Sequence, residues 1–406
     1  MFLSKEEEKI LDGEGGWALE RAMRLLTTIG DLNDAERLVP IKRSQIAGVS
    51  YKTAGGPTLR LVEELAKENV KVRTKATQNP AGMDLERWRE MGIPDEFAEK
   101  QLRLCRAYEK LGVRATCTCT PYLSGNKPEF GEMVGFSESS AVAFVNSVIG
   151  ARTNRHGGLD ALSAAMIGKV PLMGYLIDEN RIGNVHVKVD FKPNSEADYS
   201  ALGYYVGREV KIDEVPVYDG IRNASLNEVM LLGAASAASG SVALFHILGL
   251  TPEAKNVKDA FGGGEAEYTI EVTRRDIESV YDELSTDEEP DLVAIGCPHS
   301  SIQELKRAAE LLSGRRVKKG VKFWVFTSPE VFREAKKSGY VNRIKSAGGD
   351  VFLNTCMVVA PIEEMGFRCV YTNSAKAAFY VPRITRGKCK SGMVPLRKCI
   401  EICTTS

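Results

Sequence analysis

The sequence predicts an α/β protein of two or three domains built on parallel, doubly wound sheets. Between residues 291 and 371, apolar strand-like runs alternate with charged, helix-spaced segments: strand 292–296, helix 301–312, strand 321–327, helix 329–338, then strands 350–354 and 368–371. Three remote segments share one grammar, an apolar run that breaks into a cysteine beside Thr, Asn, Ser or Pro: VRATCTCTPY at 113–122, DLVAIGCPHSS at 291–301 and VFLNTCMVVAP at 351–361. A length of 406 residues also exceeds what one hydrophobic core usually organises. In such sheets ligands lie beyond the carboxyl ends of strands, which is where Cys297, Cys356 and the turn 372–376 fall. Domain boundaries are expected to divide the chain into 1–150, 151–285 and 286–406.

Composition removes several classes of partner. The 54 basic and 54 acidic residues cancel, and no basic face stands out, so neither nucleic acid nor an anionic membrane is expected. No window approaches the roughly 18–20 apolar residues of a membrane span. The opening MFLSKEEEKILDGEGG lacks the basic and apolar regions of a signal peptide. A cytoplasmic location is the expectation. There nine cysteines stay reduced, which favours buried thiols, metal ligands or a nucleophile over a disulfide framework.

Taken in order, residues 1–39 are expected to be helical, with Ile10, Leu11, Leu19, Met23, Leu25 and Leu26 on a helical spacing among charges. AGVSYKTAGGP at 47–57 reads as a turn-rich lead into a helix over 58–68. A strand over 70–77 runs into the Asn79-Pro80-Ala81-Gly82 turn, a place where α/β proteins put ligand-facing groups, although most such turns are only turns. Residues 84–111 are expected to be helical and to deliver the chain to the first cysteine strand. SAVAFVNSVI, after a Gly-rich stretch, reads as a buried helix that ends in GARTNRHGG, leaving Arg152, Asn154, Arg155 and His156 in a loop. Two arginines there suit a carboxylate or phosphate clamp, against the plainer reading of a solvated loop.

The middle of the chain predicts a small-residue helix from Leu159, strands near 170–177, 185–189 and 210–217, an Ala-rich helix over 226–238, and a buried strand SVALFHILGL whose His246 reads as a core histidine. AFGGGE at 260–265 lacks GxGxxG spacing and a leading strand, so it is read as a hinge or linker, continued by a short strand at 268–272.

Cys119, Cys297 and Cys356 lie 178 and 59 residues apart (297 − 119 and 356 − 297), and no C-x-x-C occurs. Compact zinc-ribbon and ferredoxin patterns are therefore excluded. A dispersed three-thiolate site stays open, and three protein ligands leave an iron centre one coordination position for substrate. Buried structural thiols are the competing reading. Cys117 and Cys119 are two apart and on a strand point to opposite faces. Cys105 and Cys369 are expected in the core, and Cys389, Cys399 and Cys403 in a partly exposed tail.

Six ordered segments carry a resemblance: NPAGMDL at 79–85, TCTPY at 118–122, GARTNR at 150–155, IGCPHSS at 295–301, NTCMVVAP at 354–361 and TNSAKAAFY at 372–380. Together they resemble the aconitase X family over nearly the whole chain. The resemblance implies an aconitase-like multi-domain architecture around a central cleft. It also implies a hydro-lyase with an iron–sulfur cluster, 4Fe–4S first, with 2Fe–2S or mononuclear iron as alternatives. Cys119, Cys297 and Cys356 become the expected ligands, with Cys117 the open neighbour of the first.

In this family a small swivelling domain supplies a catalytic serine. A chain ending at Ser406 is expected to be a large subunit that needs that domain as a partner. The expected reaction is dehydration of phosphomevalonate to its anhydro product; the alternatives are dehydration of cis-3-hydroxy-L-proline or another small hydroxy acid, and a metal-free binding subunit. Arg152, Arg155 and Lys376 are candidates for substrate anions, with Ser374 as a hydrogen-bond donor and Asn79 and Ser50 beside them. His299 is weighed as a general acid for the departing hydroxyl against a residue that only braces its turn.

Overall fold

Three parallel sheets carry the chain. The structure, a computed structural model, describes residues 1–405. The first sheet has strand Arg43–Ile46 between Lys75–Gln78 and Gly135–Phe136. The second runs His246–Ile247, Pro216–Asp219, Val185–Asp190, Tyr268–Thr273. The third, of five strands, runs Asp350–Leu353, Lys322–Thr327, Leu292–Ile295, Cys369–Thr372, Lys390–Met393. Among the described residues no helix is long and apolar enough to cross a membrane.

The third sheet explains where a site forms. Its first strand in sequence, Leu292–Ile295, is also its centre, and later strands add first on one side and then on the other. Strand order therefore reverses there, and the carboxyl end of Leu292–Ile295 opens a crevice. All four of its residues are buried, as a strand covered on both faces requires. Gly296 follows at φ +108°, and a Cβ there would meet the Phe326 carbonyl oxygen at 2.2 Å, so only glycine can turn the chain toward Cys297. Ser301 and Ser328 cap the helices Ile302–Leu311 and Pro329–Lys337, accepting from Glu304 N–H and Val331 N–H.

One face of the third sheet is covered by residues from 83 to 98. Met83, Trp88, Met91, Ile93 and Phe97 pack with Trp324, Phe326 and Phe352 in one core. The predicted helix 84–111 is broken for this contact into Trp88–Met91 and Asp95–Lys110, with Gly92 in the left-handed region between them.

Several expectations need correction. Residues 113–122 are not a strand: a lone bridge joins Arg114 to Thr77, Cys117 sits at φ +42°, and Pro121–Leu123 make a 3-10 turn. The helix expected from 58 begins at Tyr51, kinked at Gly55 so that Pro57 opens its second part. Strand 70–77 shrinks to Lys75–Gln78, 170–177 to Lys169–Pro171 and SVALFHILGL to His246–Ile247, while 210–217 gives way to Pro216–Asp219.

Four helices of seven or more residues are not expected from the sequence: Glu196–Glu209, Arg274–Glu283, Tyr340–Ser346 and Leu396–Cys403. The first is rich in Gly and Tyr, poor helix formers. Its Gly203 and Gly207 lie against the backbone of Leu232 and Ser236, where a Cβ would approach to 2.1 and 2.7 Å, so they serve close packing on helix Leu226–Ser239. The tail is not partly exposed either: Cys389, Cys399 and Cys403 are fully buried, because Lys390–Met393 extends the third sheet and helix Leu396–Cys403 packs over it.

Candidate functional site

The three cysteine turns meet at the crevice. Cys297 enters through a cis peptide to Pro298, and the next residue, His299, donates its backbone N–H to Cys119 Sγ at 3.2 Å. The Cys297 and Cys356 thiols lie near enough that the charge of each bears on the other. The His299 side chain ties the same three turns. Its Nε2 lies 2.8 Å from the Thr355 carbonyl oxygen, which only accepts, so Nε2 carries the proton and Nδ1 accepts from the Thr118 hydroxyl at 2.9 Å. Burial pushes the imidazole down to about 4, which keeps it neutral. Both nitrogens are committed, so His299 has no free position from which to act as a general acid.

The NPAGMDL segment holds the Cys356 turn from the other side. Ala81 N–H donates to the Asn354 carbonyl at 2.7 Å, and the Asp84 carboxylate accepts from Leu353 N–H at 2.9 Å. Ser50 Oγ donates to the Val359 carbonyl at 2.8 Å, while Lys52 Nζ reaches Ala360 O at 2.9 Å and Glu363 at 2.7 Å. Gln45 Nε2 spans the Thr118 carbonyl at 3.1 Å and Asn79 Oδ1 at 3.4 Å. Ser50 and Asn79 thus stand in the wall of the site with polar atoms bonded to protein.

A buried ion pair supplies the local charge. Lys376 Nζ lies 2.6 Å from Glu138 Oε1 and within 3.1 and 2.9 Å of Ser139 and Ser140 Oγ. Burial opposes its charge, but the Glu138 carboxylate more than offsets that and raises Lys376 above its ordinary value. Glu138 is lowered despite burial, by Lys376 and by hydrogen bonds from Ser140 and Ala141 N–H. Burial pushes the Cys119 thiol up, as do the charges of Glu138 and Cys356. In this closely placed pair the neighbouring thiol raises Cys297 and lowers Cys356, the latter helped by the N–H groups of Val359 and Val358. The Lys376 charge favours the thiolate form of all three. Ser374 begins helix Ala375–Ile384 as its cap, accepting Ala377 N–H at 3.2 Å.

Three buried thiols brought to one crevice, within reach of backbone N–H donors and of the Lys376 charge, make a soft, charge-compensated donor set of the kind an iron–sulfur cluster takes. Among the described residues no three His, Cys, Asp or Glu side chains gather around a single ion-sized point. Cys117 turns away from the group, toward Cys105 and toward Gln78 Oε1 at 3.7 Å. Cys105 and Cys369 are core residues. Arg152 and Arg155 are not brought in. Arg152 is ion-paired with Asp178, and Arg155 is exposed, reaching the Ala237 carbonyl at 3.4 Å and lining an 890 Å³ cavity with Asn154, Glu179 and Asn184.

The chain matches three consecutive family models described as Aconitase X first domain over residues 1–179, second domain over 183–282 and third domain over 290–405. Among curated relatives, the phosphomevalonate dehydratase large subunit of Methanocaldococcus jannaschii is 48% identical over 402 residues, 97% of each chain. The chain belongs to the aconitase X family. The phosphomevalonate dehydratase large subunit of Methanosarcina mazei is 46% identical, covering 94% of this chain and 92% of its own. A cis-3-hydroxy-L-proline dehydratase of Pseudomonas aeruginosa is 36% identical over 93% of this chain but 66% of its own length. The crystal structure of Thermococcus kodakaraensis aconitase X in its holo-form superposes with a TM-score of 0.91 at 39% identity, over 99% of both chains.

Two residues of this aconitase X site escape sequence reasoning. Glu138 stands in a Gly-rich, irregular stretch before a small-residue helix, where an acid reads as an ordinary cap. Glu304, in the first turn of helix Ile302–Leu311, is buried and accepts from Asn373 Nδ2 at 2.8 Å, joining the Cys297 turn to the turn before Lys376. Burial raises its carboxyl from 4.5 to about 7, against the hydrogen bond from Asn373. A raised carboxyl favours folding below its unfolded value and loses that contribution as pH climbs through the folded one. Glu304→Gln is therefore expected to match the native chain at pH 5 and to be more stable at pH 8 by on the order of 1–3 kcal/mol. Denaturant midpoints at both pH values check this; an equal difference at each would sink it.

Proposed function

We propose that the chain is the large subunit of an iron-dependent hydro-lyase that removes water from (R)-5-phosphomevalonate to give trans-anhydromevalonate 5-phosphate, in an archaeal-type mevalonate pathway. Its partner is a small swivelling-domain subunit carrying a catalytic serine, and its setting the cytoplasm. The observation that carries the reading is the convergence of Cys119, Cys297 and Cys356 beside the Lys376–Glu138 pair at the crevice of the third sheet. The substrate comes from the relatives: the phosphomevalonate dehydratase large subunits of M. jannaschii and M. mazei are covered over 97% and 92% of their length, the longer hydroxyproline enzyme of P. aeruginosa over 66%.

Dehydrating a 3-hydroxy acid requires removing a weakly acidic proton beside a carboxylate while hydroxide, a poor leaving group, departs. Cys119, Cys297 and Cys356 would hold the cluster. When bound, such a cluster supplies a Lewis acid that polarises hydroxyl and carboxylate oxygens. Lys376 offsets negative charge growing on an enolate-like intermediate, and it is pre-oriented by Glu138, Ser139 and Ser140 so that little reorganisation is needed. Ser374 offers a hydroxyl proton to a substrate oxygen, since its own oxygen accepts from Ala377. Buried walls keep water from the reacting carbons. His299 acts as a brace, and Ser50 and Asn79 as wall residues. Arg152 is paired with Asp178 and Arg155 faces the separate cavity, and neither contacts the cysteine turns.

Co-expression with a small-subunit gene, anaerobic purification and assay of both hydroxy acids test the reading. Iron bound to the large subunit and turnover of phosphomevalonate are expected. Turnover of cis-3-hydroxy-L-proline alone would reverse the substrate assignment, and a colourless protein that takes up no iron on reconstitution would remove the iron centre.

A further inference from the structure

Cys297 and Cys356 share one scaffold, and Cys119 stands on another. Cys297 follows strand Leu292–Ile295 and Cys356 follows Asp350–Leu353, strands of the third sheet with Lys322–Thr327 between them, so backbone ladders fix their spacing. Cys119 is mounted on the first sheet: Thr118 N–H donates to the Gln78 carbonyl at 3.2 Å, and the Thr118 carbonyl accepts from Gln45 Nε2 at 3.1 Å. The third leg of the site is therefore set against the other two by whatever crosses between the sheets. Among the described residues, two hydrogen bonds join residues 117–122 to the turns of the third sheet. One, from His299 N–H to Cys119 Sγ at 3.2 Å, uses the ligand sulfur itself. The other does not: Thr118 Oγ1 lies 2.9 Å from His299 Nδ1. Leu123 also packs against the core of the third sheet, but apolar contact is non-directional and sets no exact spacing.

The Thr118 bond is the middle link of an oriented chain. His299 Nε2 gives its proton to the carbonyl of Thr355, the residue before Cys356, at 2.8 Å, which leaves Nδ1 as an acceptor. The Thr118 hydroxyl then donates to Nδ1, and its oxygen accepts from Thr120 N–H and Thr120 Oγ1, both at 3.1 Å. Every proton along Thr120, Thr118, His299 and Thr355 points the same way, from the turn after Cys119 to the turn before Cys356. All four residues are fully buried, so the chain runs where neighbouring hydrogen bonds strengthen one another. A β-branched threonine also holds its hydroxyl in few side-chain positions, which makes the link stiff.

We infer, resting on the iron-centre reading above, that Thr118 is a positioning residue for the cluster: its hydroxyl, acting through His299, presets the separation of Cys119 from Cys297 and Cys356 in the metal-free chain. Thr118 is not a ligand. Without its hydroxyl, the only hydrogen bond between the Cys119 segment and the third sheet ends on the sulfur that iron must take. The three thiols would then be gathered by the metal rather than offered to it, and part of the binding free energy would go into ordering the site.

The decisive variant is Thr118→Val, which keeps the side-chain shape and removes the hydroxyl. In the complete two-subunit holoenzyme, retention of iron against a chelator is expected to fall roughly 10–100-fold. Thr118→Ser, which returns the donor, should bring retention back to within about threefold of native. Histidine-selective 15N NMR of the metal-free chain reads the link without iron: native His299 should show a protonated Nε2 and an accepting Nδ1, and T118V should move the Nδ1 resonance toward that of a nitrogen with no donor. Iron retention in T118V close to native would overturn the inference, as would a loss that T118S fails to restore or one that only follows melting of the metal-free chain. Should T118V fail to fold, His299→Gln carries the test, since the amide keeps a donor toward the Thr355 carbonyl and leaves nothing at Nδ1; native retention in H299Q would overturn the inference in the same way. Failure of the iron-centre reading is distinguishable because the native complex would then take up no iron at all. The His299 resonances would in that case judge the link, a protonated Nδ1 overturning it.

Discussion

Replacing Cys356 with serine is expected to remove bound iron and dehydration together while leaving the fold nearly unchanged. The turn that presents Cys356 is held by bonds that do not involve its sulfur: Ala81 to Asn354, Asp84 to Leu353, Ser50 to Val359 and Lys52 to Ala360 and Glu363. Exchanging sulfur for oxygen in a turn so braced should cost no more than about 1 kcal/mol of stability. What it takes away is the more acidic thiol of the Cys297–Cys356 pair, and a hydroxyl is too weakly acidic and too hard a donor to replace it at iron. The loss of cluster affinity should therefore exceed the ~10–100-fold that changes outside the ligand shell cause. Cys117→Ser is the matched control. That thiol faces Cys105 and Gln78 in the first core, so iron and activity should persist with a small loss of stability. Iron per chain, turnover under anaerobic conditions and apo-protein melting decide the matter. Iron retained in C356S with a lowered melting temperature would make the sulfur structural.

Four strands of the third sheet were readable because they are short, largely buried runs and the first two helices between them open on capping serines, so periodicity and capping agree there. The run at 113–122 misled because an apolar, β-branched stretch satisfied its backbone elsewhere, Thr118 N–H on the Gln78 carbonyl and Arg114 N–H on Ala76, without a ladder. Helix Glu196–Glu209 was hidden by glycines chosen for close approach rather than propensity. The convergence of Cys119, Cys297 and Cys356 was legible from a repeated local grammar. Glu138 was not, because its meaning lies in a partner 238 residues away, and no local pattern encodes that. The arginine pair misled for the converse reason: sequence displays a charge but not the Asp178 that neutralises it.

Breaking the Glu138–Lys376 pair should produce the largest loss of stability of any single change at the site. Both side chains are buried, and removing one partner strands the other charge, which costs about 3–5 kcal/mol. The two halves differ. In Lys376→Met the Glu138 carboxylate keeps Ser140 Oγ at 2.8 Å and Ala141 N–H at 2.7 Å, whereas in Glu138→Gln the ammonium keeps only neutral oxygens, those of Ser139, Ser140 and the new amide. E138Q should therefore be the more destabilised, and the double variant should recover part of the loss because no unpaired charge remains. The pH dependence has a definite sign. Glu138 is lowered, so its contribution is present above about 4.5 and lost as pH falls through its folded value; Lys376 is raised, so its contribution is present below about 10.5 and lost as pH rises through its own. The native chain thus holds the pair intact across the neutral range, and the deficit of each variant should be flat there. Activity separates the two roles, because a pair that only held the fold would let the double variant regain turnover along with stability. If Lys376 offsets charge in the transition state, the double variant regains stability yet stays inactive, and turnover by it comparable to the native enzyme would remove Lys376 from the chemistry.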